Sequence, residues 1–302
     1  MHKIGNVKLK NNLILAPMVG VNNPAFRLLC QKYKVGLTTT GMIHPKSLPN
    51  FLNILNITKE KPLSIQLFGS DPKELAKAAQ EVEHLTDIID LNFGCPSHNV
   101  IDQKSGSYLM KYPNKIQKIT SKVAEKVSCP VTAKIRTGWD KINALEIAKK
   151  LEDTNIGALT IHARTVKQGY TGKADWNILK EIKQEISIPI IVNGDVYSPE
   201  DYIEIEKQTK ADFVMIGRGS LGNPQIFENC LRFKQGKPLL KKDPSKIFEE
   251  YLKFPHQREE ARQFALWLTK GIDNSSKLRK EICQEKDIEK IKLKLSSAVS
   301  NS

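Results

Sequence analysis

The first 235 residues alternate between short apolar, β-branched runs and longer stretches in which apolar residues recur at helical spacing. The runs stand at 13–18, 37–43, 63–69, 87–94, 131–138, 158–165, 189–196 and 213–219. Several intervening stretches carry helix starts. Asp71-Pro72 precedes KELAKAAQEV, Asp175 precedes WNILKEIKQEI, and Ser198-Pro199 precedes EDYIEI, each an N-cap side chain followed by an early Pro or by a helical pattern. Strand–helix alternation of this kind predicts an α/β fold, either an open doubly wound sheet or a closed barrel. The polar residues decide between them. Strand after strand ends in a reactive or glycine-rich cluster: Pro17-Met18, Gln66, Asn92 to Cys95, Lys134 with Arg136, His162 with Arg164, Asn193 to Asp195, and Gly217 to Gly219. Contributions from that many strands converge in a barrel and not in an open sheet. The predicted fold is a (β/α)8 TIM barrel with these clusters around its C-terminal mouth.

After Phe233 the pattern changes to KQGKPLLKKDP, a linker without strand signal, and then to helical periodicity with starts at Asp243-Pro244, Arg258, Ser275 and Asp287. The expected organisation is a barrel domain over 1–235 and a small all-helical domain over 236–302. A length of 302 residues suits it, since a barrel takes about 250. No apolar run approaches the roughly 18 residues of a membrane span, and residues 1–12 lack a signal-peptide core. Five cysteines at scattered positions, with no paired spacing for zinc or an iron–sulfur cluster, fit a reducing cytoplasm. A soluble cytoplasmic protein is expected.

Charge adds a partner class. Lys and Arg number 47 against 33 Asp and Glu, a net of +14, and the density is higher over 236–302. Such a balance suits a polyanion such as nucleic acid, and equally a chain whose surfaces are simply Lys-rich.

The clusters then narrow the chemistry. Asn193-Gly194-Asp195 and Gly217-Arg218-Gly219 follow the seventh and eighth strands, where barrels bind phosphate through backbone amides. One such cluster reads as a tight turn; two in adjacent strands favour a bound phosphate. Lys134 and Arg136, two apart, point to one side of their strand, and two inward cations call for an anion such as a reduced flavin with its phosphate. His162 and Arg164 repeat that spacing on the next strand, and Gln66 offers an amide to the edge of a heterocycle. Cys95, in IIDLNFGCPSHNV, sits in a Gly-Cys-Pro turn that projects its thiol at the mouth, unlike Cys30, Cys129 and Cys230, which read as core or near-core.

Residues 11–27 (NNLILAPMVGVNNPAFR), NFGCP at 92–96, the segment 162–176, and the NGD and GRG clusters together resemble the tRNA-dihydrouridine synthase family in order and spacing. LRKEI resembles its helical RNA-binding domain more loosely. The resemblance implies FMN held by Pro17, Met18, Val19, Gln66, Lys134, His162, Asn193, Gly194, Asp195, Gly217 and Arg218, with Cys95 as catalytic acid, NADPH or NADH as electron donor and tRNA as partner. Asn92, Arg136, Arg164 and Tyr170 are the expected base-binding residues, and no metal is implied. The chain departs from the family pattern at Asn22-Asn23, Gly41, Asn99 and Val166. The rival readings are an FMN-barrel reductase of a free small molecule, dihydroorotate dehydrogenase-like, and an RNA-binding module on an inactive barrel.

Overall fold

A computed structural model describes residues 2–57, 60–273 and 275–300. Strands β1 (His2–Ile4) and β2 (Val7–Leu9) form an antiparallel hairpin. The parallel strands that follow are β3 (Leu13–Leu15), β4 (Thr38–Thr39), β5 (Leu63–Leu67), β6 (Ile88–Asn92), β7 (Val131–Arg136), β8 (Ala158–His162), β9 (Ile190–Asn193) and β10 (Phe213–Ile216). They pair in the order β3-β10-β9-β8-β7-β6-β5-β4, and a parallel bridge from Ile14 to Leu37 joins the two ends of this sheet. Helices lie between the strands in sequence and cover the sheet, which makes the expected TIM barrel. The run at 37–43 is regular strand only at Thr38–Thr39, because the Gln66 N–H goes to the Thr40 hydroxyl (3.1 Å) instead of a backbone carbonyl and interrupts the ladder.

Successive side chains of a strand point to opposite faces, and here that alternation sorts the apolar residues into two cores. Leu13, Leu15, Leu63, Ile65, Leu67, Ile89, Leu91, Ala133, Ile135, Leu159, Ile161, Val192, Val214 and Ile216 point outward and pack under the helices. Ile14, Ala16, Leu37, Ile88, Ala158, Ile191, Phe213 and Met215 point inward, and Ile4 and Leu9 of the hairpin join them. The barrel interior is therefore apolar and stoppered at its N-terminal end, and its polar residues lie toward the other. Asp71, Asp175, Ser198 and Asp243 cap their helices as the sequence indicates.

Beyond the helix Ile226–Lys234, residues 235–243 are irregular, and the helices Pro244–Leu252, Arg258–Leu268, Ser275–Gln284 and Ile288–Ser300 follow. Their core is continuous with that of the barrel. Phe264 stacks on Tyr251 (4.3 Å between ring centroids) and meets Phe26 of the barrel helix Pro24–Lys32 at 5.8 Å. Glu250 takes both the Lys32 ammonium (2.8 Å) and the Tyr33 hydroxyl (2.6 Å). Among the described residues no helix is long and apolar enough to cross a membrane, and no cluster of His, Cys, Asp and Glu is arranged to hold a metal.

Candidate active site

Parallel register carries the inward positions of neighbouring strands into tiers. Gln66 pairs with Asp90, Asp90 with Thr132, and Thr132 with Ala158. One step higher Asn92 pairs with Lys134, Lys134 with Thr160, and Thr160 with Ile191. The uppermost tier joins Arg136, His162, Asn193 and Met215. Polar side chains from five strands, β5 to β9, thus meet above an apolar floor because the sequence places them at matching parity. Above them opens a cavity of about 540 Å³, within the range of small-molecule sites. Pro17, Met18, Val19, Gln66, Asn92, Cys95, Lys134, Arg136, His162, Tyr170, Asn193, Gly194, Asp195, Gly217 and Arg218 all line it.

The Cys95 turn is held on every side. Asn92 Oδ1 accepts the N–H groups of Gly94 (3.2 Å) and Cys95 (2.9 Å), Arg136 Nε donates to the Gly94 carbonyl (2.9 Å), and Ser107 N–H donates to the Cys95 carbonyl (3.1 Å). Burial pushes the Cys95 thiol up, and the nearby Ser97 N–H and the charges of Arg136 and Lys134 oppose that without reversing it. The thiol is therefore protonated at neutral pH. Beneath it runs a line of polar contacts that sequence reasoning passed over. Thr132 Oγ1 and Gln66 Nε2 both donate to the Asp90 carboxylate (2.6 Å each), and Asn92 Nδ2 donates to Gln66 Oε1 (2.8 Å). A charged residue at an inward position of IIDLN was the available signal.

Positive charge dominates the wall. Lys134, its pKa pushed down to about 8 by burial and then by Arg136, donates to the neutral Asn193 amide oxygen (3.1 Å). Arg136 bonds the carbonyls of Gly94, Thr165 and Gly169. Burial and then the surrounding cations, Lys134 first, drive the His162 pKa far down, so the imidazole is neutral. Burial would raise Asp195, but hydrogen bonds from Arg164 and the Ala174 N–H, with the charges of Arg164 and Arg218, hold it low. The guanidinium groups of Arg218 and Arg136 lie over the Tyr170 ring, 4.6 and 5.4 Å from its centroid. At Gly194, where φ is +130°, a Cβ would meet Ala174 at 2.9 Å, and at Gly219 one would meet the Val196 carbonyl oxygen at 2.2 Å. Glycine at 219 lets the loop after β10 close on Val196 of the loop after β9, and glycine at 194 lets that second loop pass close to Ala174.

Arg164 does not line the cavity. It is 2% exposed, and its guanidinium donates to the carbonyls of Thr171 (3.2 Å) and Gly172 (2.7 Å) and to Asp195 Oδ2 (2.6 Å). It braces the loop that carries Tyr170. The departures at Asn22 and Asn23 are structural: Asn22 donates to the carbonyls of Ala16 and Thr39 (2.7 Å each), and Asn23 caps the helix Pro24–Lys32 and accepts the Tyr251 hydroxyl (3.2 Å). Gly41 lies against the backbone of Met18 and Val19, Val166 is buried in the outer core, and Asn99 is exposed.

Comparison with known proteins places the chain in a family. The family model for dihydrouridine synthase (Dus) matches residues 14–302, barrel and tail together. The chain is 45% identical over 233 residues to tRNA-dihydrouridine synthase B of Pasteurella multocida (strain Pm70), covering 74% of this chain and 70% of that protein. It is 40% identical over 239 residues to tRNA-dihydrouridine synthase B of Escherichia coli (strain K12), covering 76% and 74%. The solved old yellow enzyme homologue from Zymomonas mobilis shares the fold with a TM-score of 0.60 at 16% identity, over 84% of this chain and 98% of that one. A morphinone reductase mutant in complex with tetrahydroNAD does so with a TM-score of 0.56 at 15% identity, over 81% and 92%. By its matched length and its identity to these synthases, the chain belongs to the dihydrouridine synthase family.

Proposed function

We propose that this chain reduces uridines of tRNA to 5,6-dihydrouridine, with FMN in the barrel mouth and NADPH or NADH as reductant. The observation that carries the reading is a protonated thiol, Cys95, fixed on the rim of a cavity into which Lys134 and Arg136 turn without an ion pair among the described residues. Lys134 hydrogen-bonds only an amide oxygen and Arg136 only carbonyls and Tyr170, while Gly194, Gly217 and Arg218 line the cavity where a phosphate would sit. These features fit a phosphorylated flavin, with Pro17, Met18, Val19, Gln66, His162, Asn193 and Asp195 completing its surround. The chemistry FMN supplies when bound is hydride delivery to C6 of the uracil ring.

Hydride addition at C6 leaves negative charge on C5 and O4, and a proton must reach C5. Cys95 holds that proton on its sulfur and releases it as C5 becomes basic. Arg136 and Asn92 flank the thiol and are the residues to hold the base, with Tyr170 packing over it; Arg164 acts on the base only by fixing the Tyr170 loop. The target nucleotide has to leave its stack to enter the mouth. A second recess, lined by Tyr197, Arg218, Trp267, Lys270 and Arg279, adjoins the mouth where barrel and tail meet, and Lys277, Arg279 and Lys280 are exposed on the same tail helix. These cations suit the phosphates of an RNA whose base lies in the cavity. The 236–302 segment is in this reading a tRNA-binding domain, and the protein works in the cytoplasm.

The test is to supply the purified, FMN-loaded chain with NADPH and unmodified tRNA and to map dihydrouridine by mass spectrometry. Dihydrouridine at defined positions is the expected result. Reduction of free orotate or uracil with tRNA untouched would install the small-molecule reading, and a folded chain without affinity for FMN would end both.

A further inference from the structure

We propose that Asp90 is a positioning residue that places Cys95 through a fixed sequence of amide orientations. The argument runs from the two ends of the line inward. At one end the N–H groups of Gly94 and Cys95 both point at one atom of the Asn92 side chain, so that atom is the oxygen, and Asn92 presents its NH2 to Gln66. Gln66 must then offer its oxygen to Asn92 and its NH2 away from it. At the other end the Asp90 carboxylate, an acceptor at both oxygens when ionised, takes that NH2 on Oδ2 and the Thr132 hydroxyl on Oδ1. Asp90 is 3% exposed and does not line the cavity, so water does not stand in for it as the acceptor of the Gln66 NH2. Asp90 is therefore what keeps the Gln66 amide from turning over. A turned Gln66 would set NH2 against NH2 at Asn92, and a turned Asn92 would set NH2 against the two backbone N–H groups that shape the Cys95 turn.

The carboxylate acts as an acceptor and not as a charge, although it also lies near Lys134. Asparagine at 90 preserves the acceptor: its oxygen takes the Gln66 NH2 and its own NH2 donates to the Thr132 hydroxyl, which accepts as readily as it donates. Valine preserves the volume and removes the acceptor. The two substitutions thus separate positioning from counterion function. The inference rests on the proposed function only in calling Cys95 the proton donor; the link from Asp90 to the Cys95 turn stands or falls without it.

The test is the rate of alkylation of Cys95 by iodoacetamide in the full-length, flavin-loaded protein, resolved from the other thiols by peptide mass mapping. Asp90→Val and Gln66→Met each loosen the turn and speed alkylation about tenfold, the scale of one unsatisfied buried donor. Because they cut the same line, the double variant is also about tenfold faster and not about a hundredfold. Asp90→Asn stays within about twofold of the parent. Asp90→Asn as fast as Asp90→Val would assign a counterion role, and multiplying effects in the double variant would assign two independent contacts; either overturns the proposal, as does Asp90→Val at the parental rate. Should Asp90→Val not fold, Gln66→Met and Asp90→Asn carry the same contrast. Dihydrouridine formation is measured beside it: a parent without that activity but with this alkylation pattern fails the function and keeps the relay.

Discussion

The depressed pKa of Lys134 makes flavin binding pH-dependent in a calculable direction. In the free protein the ammonium titrates at about 8 because burial, and then Arg136, disfavour its charge. An anionic ligand beside it favours the charged form, so binding raises that pKa and takes up a proton wherever the free protein has lost one. Affinity is then full below pH 8 and declines above it. With a free-protein value of 8, Lys134 is about nine-tenths charged at pH 7 and about one-tenth charged at pH 9, so the Kd for FMN should rise roughly tenfold over that interval. A phosphomonoester is dianionic above about pH 6, His162 is neutral throughout, and the Cys95 thiol titrates above its ordinary range. Fluorescence titration of FMN at pH 7, 8 and 9 measures it. Lys134→Met should bind more weakly at pH 7 and show a flat profile. A parent whose affinity does not change between pH 7 and 9, or a methionine variant with the same decline, would refute the assignment of Lys134 to the flavin.

Two further outcomes follow from the site and the packing. Cys95→Ala should retain FMN and accept electrons from NADPH but form dihydrouridine about 10²- to 10⁴-fold more slowly, the usual scale for one proton donor, whereas Cys283→Ala, at an exposed tail position, should match the parent; equal rates in a single-turnover assay would remove the thiol from the mechanism. Phe264→Ala should cost about 3–5 kcal/mol in urea unfolding, because the ring is fully buried between Tyr251 and the barrel's Phe26, and flavin fluorescence and far-UV signals should be lost together; a loss below about 1 kcal/mol would mean that barrel and tail do not share a core.

Much of the barrel was legible because its chemistry is periodic. Lys134 and Arg136 lie within β7, so their spacing of two does put both inside. The identical spacing of His162 and Arg164 misleads, because β8 ends at His162 and the Arg164 N–H turns back onto the His162 carbonyl (2.7 Å). Alternation loses its meaning one residue past a strand, and Arg164 swings behind the wall. Asp90 was hidden for the opposite reason. It sits squarely in phase, but a lone carboxylate in an apolar strand shows its purpose only when Thr132 and Gln66 arrive from neighbouring strands. The shared core of barrel and tail was likewise beyond sequence reach, since the join between Phe26 and Phe264 is made across the whole length of the barrel and announced by nothing near either residue.

The β1–β2 hairpin has a kinetic corollary. With Ile4 and Leu9 wedged among Ile14, Ile88, Phe213 and their neighbours, the described residues close the barrel at its N-terminal end like the base of a flask, and a ligand of the cavity arrives and departs by the mouth at the other end. On the proposed reading a nicotinamide and an RNA nucleotide would both reach one flavin through that mouth, and the mouth admits one at a time. Reduction of the cofactor and consumption of its electrons become separate visits, between which the protein stores two electrons and waits. Initial rates against either substrate at fixed levels of the other should then plot as parallel lines; lines that intersect would require a second way in.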